Sequence, residues 1–148
     1  MTGFVFFWAW LALGVRKYDE GIGFVLPASA GAVGAILMFA GAALALTCVG
    51  FFAVRGRGTP APFDPPREFV AVGPYKYARN PMYIGAIILV IGFGLYIQSI
   101  SIVLFSLVFL VIAHLFVFFV EEPGLENRFG QSYLDYKKAV NRWIPKWK

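Results

Sequence analysis

The sequence predicts an all-α integral membrane protein. The expected architecture is about four transmembrane helices, two of them a helical hairpin in the C-terminal half, followed by a cytoplasmic amphipathic helix. Two observations carry this. Hydrophobic residues make up 59% of the 148 and charged residues only 14%, against roughly 25% charged in a soluble domain. The charges are also segregated, to 16–20, to 55–79 and from 121 onward, with apolar runs between them. One domain over 1–148 is expected: membrane helices in 1–54, a cytoplasmic loop in 55–81, the hairpin in 82–120 and a cytoplasmic tail in 121–148. A net charge of +5 then reflects membrane topology, and no nucleic-acid partner is expected.

Each element has a local reason. The apolar run 3–15 is short for a spanning helix, which needs about 20 residues. It lacks a preceding lysine or arginine and a small-residue cleavage pattern, so it reads as a retained membrane segment rather than a secretory signal. Pro27 marks the entry to a helix over 28–54 that carries Ala30, Gly31, Gly34, Ala35, Gly41, Ala42 and Ala45. Small residues at three- and four-residue spacing let another helix approach closely. In the loop that follows, Pro60, Pro62, Pro65 and Pro66 oppose helix. Five positive charges there outweigh two negative ones, and the positive-inside rule places the loop in the cytoplasm.

Pro81 suits the first turn of a helix, expected over 82–97 with Gly85 and Gly92 on one face. Gln98, Ser99, Ile100 and Ser101 form a tight polar break, and 102–120 returns to the starting side. Pro123 and Gly124 are expected to end that helix. A final amphipathic helix follows, with Leu125, Phe129, Tyr133, Tyr136 and Val140 on one face and Glu126, Arg128, Asp135, Lys137 and Lys138 on the other. Trp143 and Trp147, beside Lys146 and Lys148, read as interfacial anchors. This count gives four crossings with both termini cytoplasmic.

The chemistry is bounded by what is missing. The chain has one cysteine and one histidine, so an intramolecular disulfide is impossible and no metal site is expected. No phosphate-binding loop, dinucleotide fingerprint or nucleophile elbow is present. Two polar motifs remain. One is Gly73-Pro74-Tyr75-Lys76-Tyr77-Ala78-Arg79-Asn80-Pro81-Met82-Tyr83-Ile84-Gly85. The other runs from Glu121-Glu122 through Phe129-Gly130, Tyr133 and Tyr136 to Arg142 and Pro145. A hairpin between them returns both to one membrane face, where they would build one small-molecule site. His114, the only histidine, lies seven residues before Glu121, and an ionisable group inside a membrane helix favours function by default.

Taken in this order, the two motifs and the intervening hairpin resemble the isoprenylcysteine carboxyl methyltransferase and phospholipid methyltransferase family, in its bacterial form. The resemblance covers roughly 58–145, including the proline-rich lead-in of 58–66. It implies an integral-membrane enzyme of the bacterial inner membrane, with both motifs cytoplasmic. The implied cofactor is S-adenosyl-L-methionine, and the partners are membrane lipids and a lipidic or apolar methyl acceptor bearing a carboxylate or an amine. The implied cofactor-binding residues are Val70, Gly73, Tyr75, Arg79, Asn80, Pro81, Met82, Tyr83 and Glu121 or Glu122. Arg79 would pair with the cofactor carboxylate, a glutamate would accept from the ribose or the α-ammonium, and Tyr75 and Tyr83 would offer aromatic faces. His114 and Arg142 are the expected catalytic residues, with His114 as proton acceptor or acceptor-orienting group.

Two departures refine this. Phe116-Val117-Phe118 stand where the prenylcysteine branch has an arginine, and Asn80 stands where it has histidine. The first points away from a prenylcysteine acceptor, and the second moves the chain toward the bacterial members. Two other functions remain open at this level: an NADPH-dependent membrane reductase of the sterol-reductase type, and a non-catalytic membrane scaffold. The oligomeric state is not read from the sequence.

Overall fold

The structure is a computed structural model that describes residues 2–51, 53–54 and 71–145, with the side chains of 2–7 and 9 excepted. All regular structure among these residues is helical. Val70, the 58–66 lead-in, the 55–66 prolines and Trp147 lie outside the described residues. The chain divides into two compact units, one of residues 1–42 and 86–111, the other of residues 43–85 and 112–148.

The first unit begins with α1 (Thr2–Val15), a 3-10 turn (Arg16–Tyr18) and α2 (Asp19–Ile22), which ends at Gly23 in the left-handed region at φ +63°. It also takes the start of α3 (Ala30–Phe51), most of α4 (Pro81–Tyr96) and the start of α5 (Ile100–Phe116). α3 and α4 cross where both are glycine. A Cβ on Gly34 would stand 2.6 Å from the Gly92 carbonyl oxygen, and one on Gly92 would stand 2.7 Å from that of Gly34. The small-residue stripe therefore does what its spacing implies, since only glycine lets the backbones come this close.

α4 and α5 are joined by the expected polar break. Gln98 takes φ +59° there, and the Ser99 amide donates to the Gly94 carbonyl at 2.8 Å. The start of α5 borrows an acceptor from far along the chain: the Ser101 amide donates to Asp19 Oδ1 at 2.8 Å. Burial works to raise the Asp19 carboxyl pKa, but hydrogen bonds from Ser99 and Ser101 and the nearby Arg16 bring it below its ordinary value. α1 packs on α5 through Trp8, edge-on to Phe109 with ring centroids 4.8 Å apart.

The second unit takes the end of α3, a 3-10 turn (Gly73–Lys76), the start of α4 and the end of α5. A π-helical turn (Val117–Glu121), α6 (Glu122–Phe129) and α7 (Gln131–Ala139) complete it. Its apolar core centres on Cys48 and Tyr75, covered by Leu44, Phe51, Val72 and Met82. Gly73 has φ +58°, and a Cβ there would collide with the Phe51 ring.

The expected helix break at Pro123 and Gly124 does not occur. A continuous helix runs through 100–129. Proline lacks an amide hydrogen, and in a regular helix its ring would meet the carbonyl four residues back. The π turn relieves this: the Glu122 amide donates to Val117, five residues back. The break falls instead at Gly130, at φ +52°, which splits the single amphipathic helix expected from the sequence into α6 and α7.

Two described helices, α3 and the continuous helix of 100–129, are long and apolar enough to cross a membrane. Only 17% and 28% of their apolar windows are buried, where the core helix of a soluble protein would be mostly covered. Phe39, Leu46, Val111 and Phe119 are among the large apolar side chains left exposed, as lipid contact requires. α4, with 16 residues, is about 24 Å long at 1.5 Å per residue, somewhat short of a hydrocarbon core of about 30 Å.

Candidate active site

Within the second unit the two sequence motifs come together. The Arg79 amide donates to the Asn141 carbonyl at 2.9 Å and the Asn80 amide to the Arg142 carbonyl at 3.2 Å. Asn80 Nδ2 also reaches the Arg142 carbonyl at 3.4 Å. The Tyr136 hydroxyl donates to the Tyr75 carbonyl at 2.6 Å. Burial, with Tyr133 alongside, pushes the Tyr136 phenol well up, so it remains a neutral donor. Pro81 starts α4 directly after this bracket and Met82 packs on the Tyr75 core.

The bracket surrounds two adjacent carboxylates with different surroundings. Glu122 is 3% exposed. Arg142 grips it at both oxygens, Nε to Oε1 at 2.7 Å and Nη2 to Oε2 at 3.0 Å. Arg79 Nη1 lies 2.9 Å from Oε1 and Lys137 Nζ 3.3 Å from Oε2. Lys137 also pairs with Glu126, and Glu126 first, then Glu122, holds the Lys137 ammonium above its usual pKa. Such a cluster stands because each buried charge is matched; removing one member of a buried pair costs about 3–5 kcal/mol.

Glu121 has no such match. It accepts from the Tyr83 hydroxyl at 3.2 Å, and no cation pairs with it among the described residues. On the guanidinium that pairs with Glu122, Arg79 Nε is buried and finds no hydrogen-bond partner among the described residues. Among the described residues the site thus presents a carboxylate without a cationic partner and an Arg79 Nε–H without an acceptor.

His114 lies on the same unit's stretch of α5. Its Nδ1 accepts from Trp143 Nε1 at 3.0 Å, and its ring stacks parallel to Phe118. Trp143 also meets Tyr83 edge-on, with centroids 6.4 Å apart.

The structure places most of the residues expected from the sequence in this unit. Arg79, Asn80, Tyr83, Glu121, Glu122 and Arg142 are brought together, with Gly73 and Tyr75 in the adjoining turn. Arg79 and Arg142 spend their charge on Glu122. Two participants depart from the positions expected of them. Lys137 was put on the solvated face, although it lies four residues after the buried Tyr133, on the same side of a helix. Trp143 was read as an interfacial anchor, and nothing local in the sequence ties it to His114.

An all-helical, largely apolar chain with two polar motifs folded onto one charged cluster is the setting in which comparison becomes informative. The model of the family described as phospholipid methyltransferase matches residues 29–132, well over half of the 148, and the chain belongs to this family. It is accordingly a methyltransferase of the membrane-embedded kind that the sequence motifs resemble. The matched stretch includes Arg79, Asn80, His114, Glu121 and Glu122, while Tyr136, Arg142 and Trp143 lie beyond it. No curated protein and no solved structure matches the chain.

Proposed function

We propose that this methyltransferase uses S-adenosyl-L-methionine and methylates a lipidic or apolar acceptor, a carboxylate or an amine, at the cytoplasmic face of a bacterial inner membrane. The observation that carries the reading is that Glu121 has no cationic partner among the described residues. A carboxylate in a largely enclosed site without a positive partner is costly. S-adenosyl-L-methionine has two positive centres, its α-ammonium and its sulfonium, so the residues present fit it. NADPH is a polyanion and would add repulsion where a cation is needed.

In this reading Glu121 holds the α-ammonium of the cofactor, which S-adenosylhomocysteine shares, and the Tyr83 hydroxyl fixes the carboxylate that does so. Arg79 Nε offers its unused N–H to an acceptor on the cofactor, while the rest of its guanidinium stays on Glu122. Gly73, Tyr75, Asn80, Pro81 and Met82 line the same site, with Val70 assigned by resemblance. When bound, S-adenosyl-L-methionine supplies an electrophilic methyl group. The chain's contribution is to hold that group in line with an acceptor, and orientation alone can supply about 7–11 kcal/mol of rate enhancement. His114 serves the acceptor side. Arg142 acts through Glu122, which it clamps, rather than on the acceptor.

The same reading includes the topology. α1, α3, α4 and α5 make four crossings with both termini cytoplasmic, and the tail from 121 lies at that face as well. Supporting this is the excess of lysine and arginine over 55–79.

Isothermal titration of the detergent-purified protein with S-adenosylhomocysteine tests the assignment. Binding is expected in the wild type and in Asp135→Asn, a change on the exposed face of α7, and a loss of about tenfold or more in Glu121→Gln, as for a charged hydrogen bond of about 1.5–3 kcal/mol. Equal affinity in Glu121→Gln would remove the assigned role. No binding to folded wild type would remove the cofactor.

A further inference from the structure

Trp143 and His114 lie 29 residues apart in sequence and are joined by one hydrogen bond. That bond has a direction. An indole nitrogen can only donate, so His114 Nδ1 must be the acceptor and must carry a lone pair. The neutral ring then bears its proton on Nε2. His114 Nε2 makes no hydrogen bond with any described residue, and His114 is half-buried rather than enclosed. An N–H donor in a membrane helix without a partner costs free energy, so a ligand that accepts there gains affinity.

From this we propose that Trp143 is a positioning residue. It fixes His114 as a hydrogen-bond donor through Nε2, and this donor holds an anionic oxygen of the methyl acceptor instead of taking a proton from it. The proposal rests on the methyltransferase reading for the identity of the ligand, though not for the tautomer. Its chemical basis is the count of lone pairs. One imidazole nitrogen is occupied by the indole and the other carries hydrogen, so neither is available as a base. The location agrees. Trp143 packs against His114 with centroids 6.1 Å apart and against Tyr83, the hydroxyl partner of Glu121, with centroids 6.4 Å apart. A single indole therefore touches the ring proposed for the acceptor and the tyrosine proposed for the cofactor. The ligand chemistry is an oxygen anion, which a carboxylate or a phosphate amphiphile would equally supply.

The experiment uses the fact that the chain has one histidine. In untagged protein labelled with 15N-histidine, in micelles, the two ring nitrogens give signals that need no further assignment. A non-protonated Nδ1 and a protonated Nε2 are expected. In Trp143→Phe, which keeps an aromatic ring but removes the donor, the two signals should move toward an averaged mixture of tautomers. A proton on Nδ1 in the wild type, or an unchanged spectrum in Trp143→Phe, would overturn the proposal.

Sodium oleate and dodecyl phosphate are then titrated in separate arms. A shift of the Nε2 signal with one of them names the source of the oxygen, and a shift with neither overturns the donor role. Transfer of labelled methyl from S-adenosyl-L-methionine to lipids extracted from the host membranes adds a kinetic readout. His114→Gln keeps an N–H near the Nε2 position and should retain most of the transfer, whereas His114→Ala should lose about tenfold, the value of one hydrogen bond. Equal losses of about 100-fold or more in both would show a base and refute the donor role. Wild type that neither transfers label nor binds S-adenosylhomocysteine would refute the methyltransferase reading and leave the tautomer result standing.

Discussion

The two units of this chain are held together by opposite means. In residues 1–42 and 86–111 the decisive contacts are made by side chains that are missing: Gly34 and Gly92 bring two backbones together. In residues 43–85 and 112–148 they are made by charges, with Arg79, Lys137 and Arg142 gathered on Glu122. Dispersion between close backbones suits an anchor in lipid, where apolar side chains gain little by leaving one apolar medium for another. A charge cluster is less economical, but it holds polar groups in fixed directions, which a binding site needs. The difference predicts distinct failures for the two units.

The largest effect is expected from Glu122→Ala. It strands Arg79 and Arg142 around a residue that is 3% exposed, and should cost about 3–5 kcal/mol in thermal or denaturant unfolding. Cofactor binding would fall with it, through loss of the folded site. Glu121→Gln should instead leave the melting temperature within a degree or two of wild type while binding is lost, since the Tyr83 hydroxyl keeps an acceptor. A matching fall in stability for both variants would erase the distinction between the two glutamates.

Next comes Gly34→Leu. With the Gly92 carbonyl 2.6 Å from the position of a Cβ, the helices must part, at a cost of about 1–3 kcal/mol or more. The loss should appear in unfolding measurements even with the cofactor site saturated. Tyr136→Phe removes one hydroxyl from the Tyr75 carbonyl and should cost about 1 kcal/mol, seen as a small drop in melting temperature.

The smallest effect concerns acid. The Asp19 carboxyl titrates below its ordinary value of 3.8. Its stabilising contribution is complete above that value and disappears as the pH falls through the lower folded-state value. Asp19→Asn should therefore lower stability at neutral pH while changing it little at the acid end, which flattens the acid limb of a stability profile; an unaltered acid limb would show that the Ser101 contact is not the source.

Much of this was legible in local pattern. Pro81 starts a helix, Gln98 and Ser99 turn one, and the small residues of α3 mark a close crossing. The meeting of the two motifs also followed from the hairpin between them. What the sequence could not convey were partners chosen across the chain. Asp19 caps a helix that begins 81 residues later, and Trp143 selects His114 without any shared periodicity. Nor could spacing separate Glu121 from Glu122. Neighbouring carboxylates look equivalent in a sequence, and an expected helix break at Pro123 hid the turn that distinguishes them. Gly130 was visible as a motif residue, but its positive φ, which ends α6, emerged only in the fold.

The π turn of Val117–Glu121 makes the chemistry at this point a matter of counting. A turn of this kind absorbs about one extra residue relative to an α-helix. Rewinding it into regular α geometry would turn Glu122 and all that follows by about 100° around the axis, away from Arg79, with no residue changed. Deleting one residue from 117–120 would absorb that same rotation and leave Glu122 facing the arginines. At this site, substitutions and indels therefore probe different properties: a substitution tests what the carboxylates are, and a change of length tests where they point.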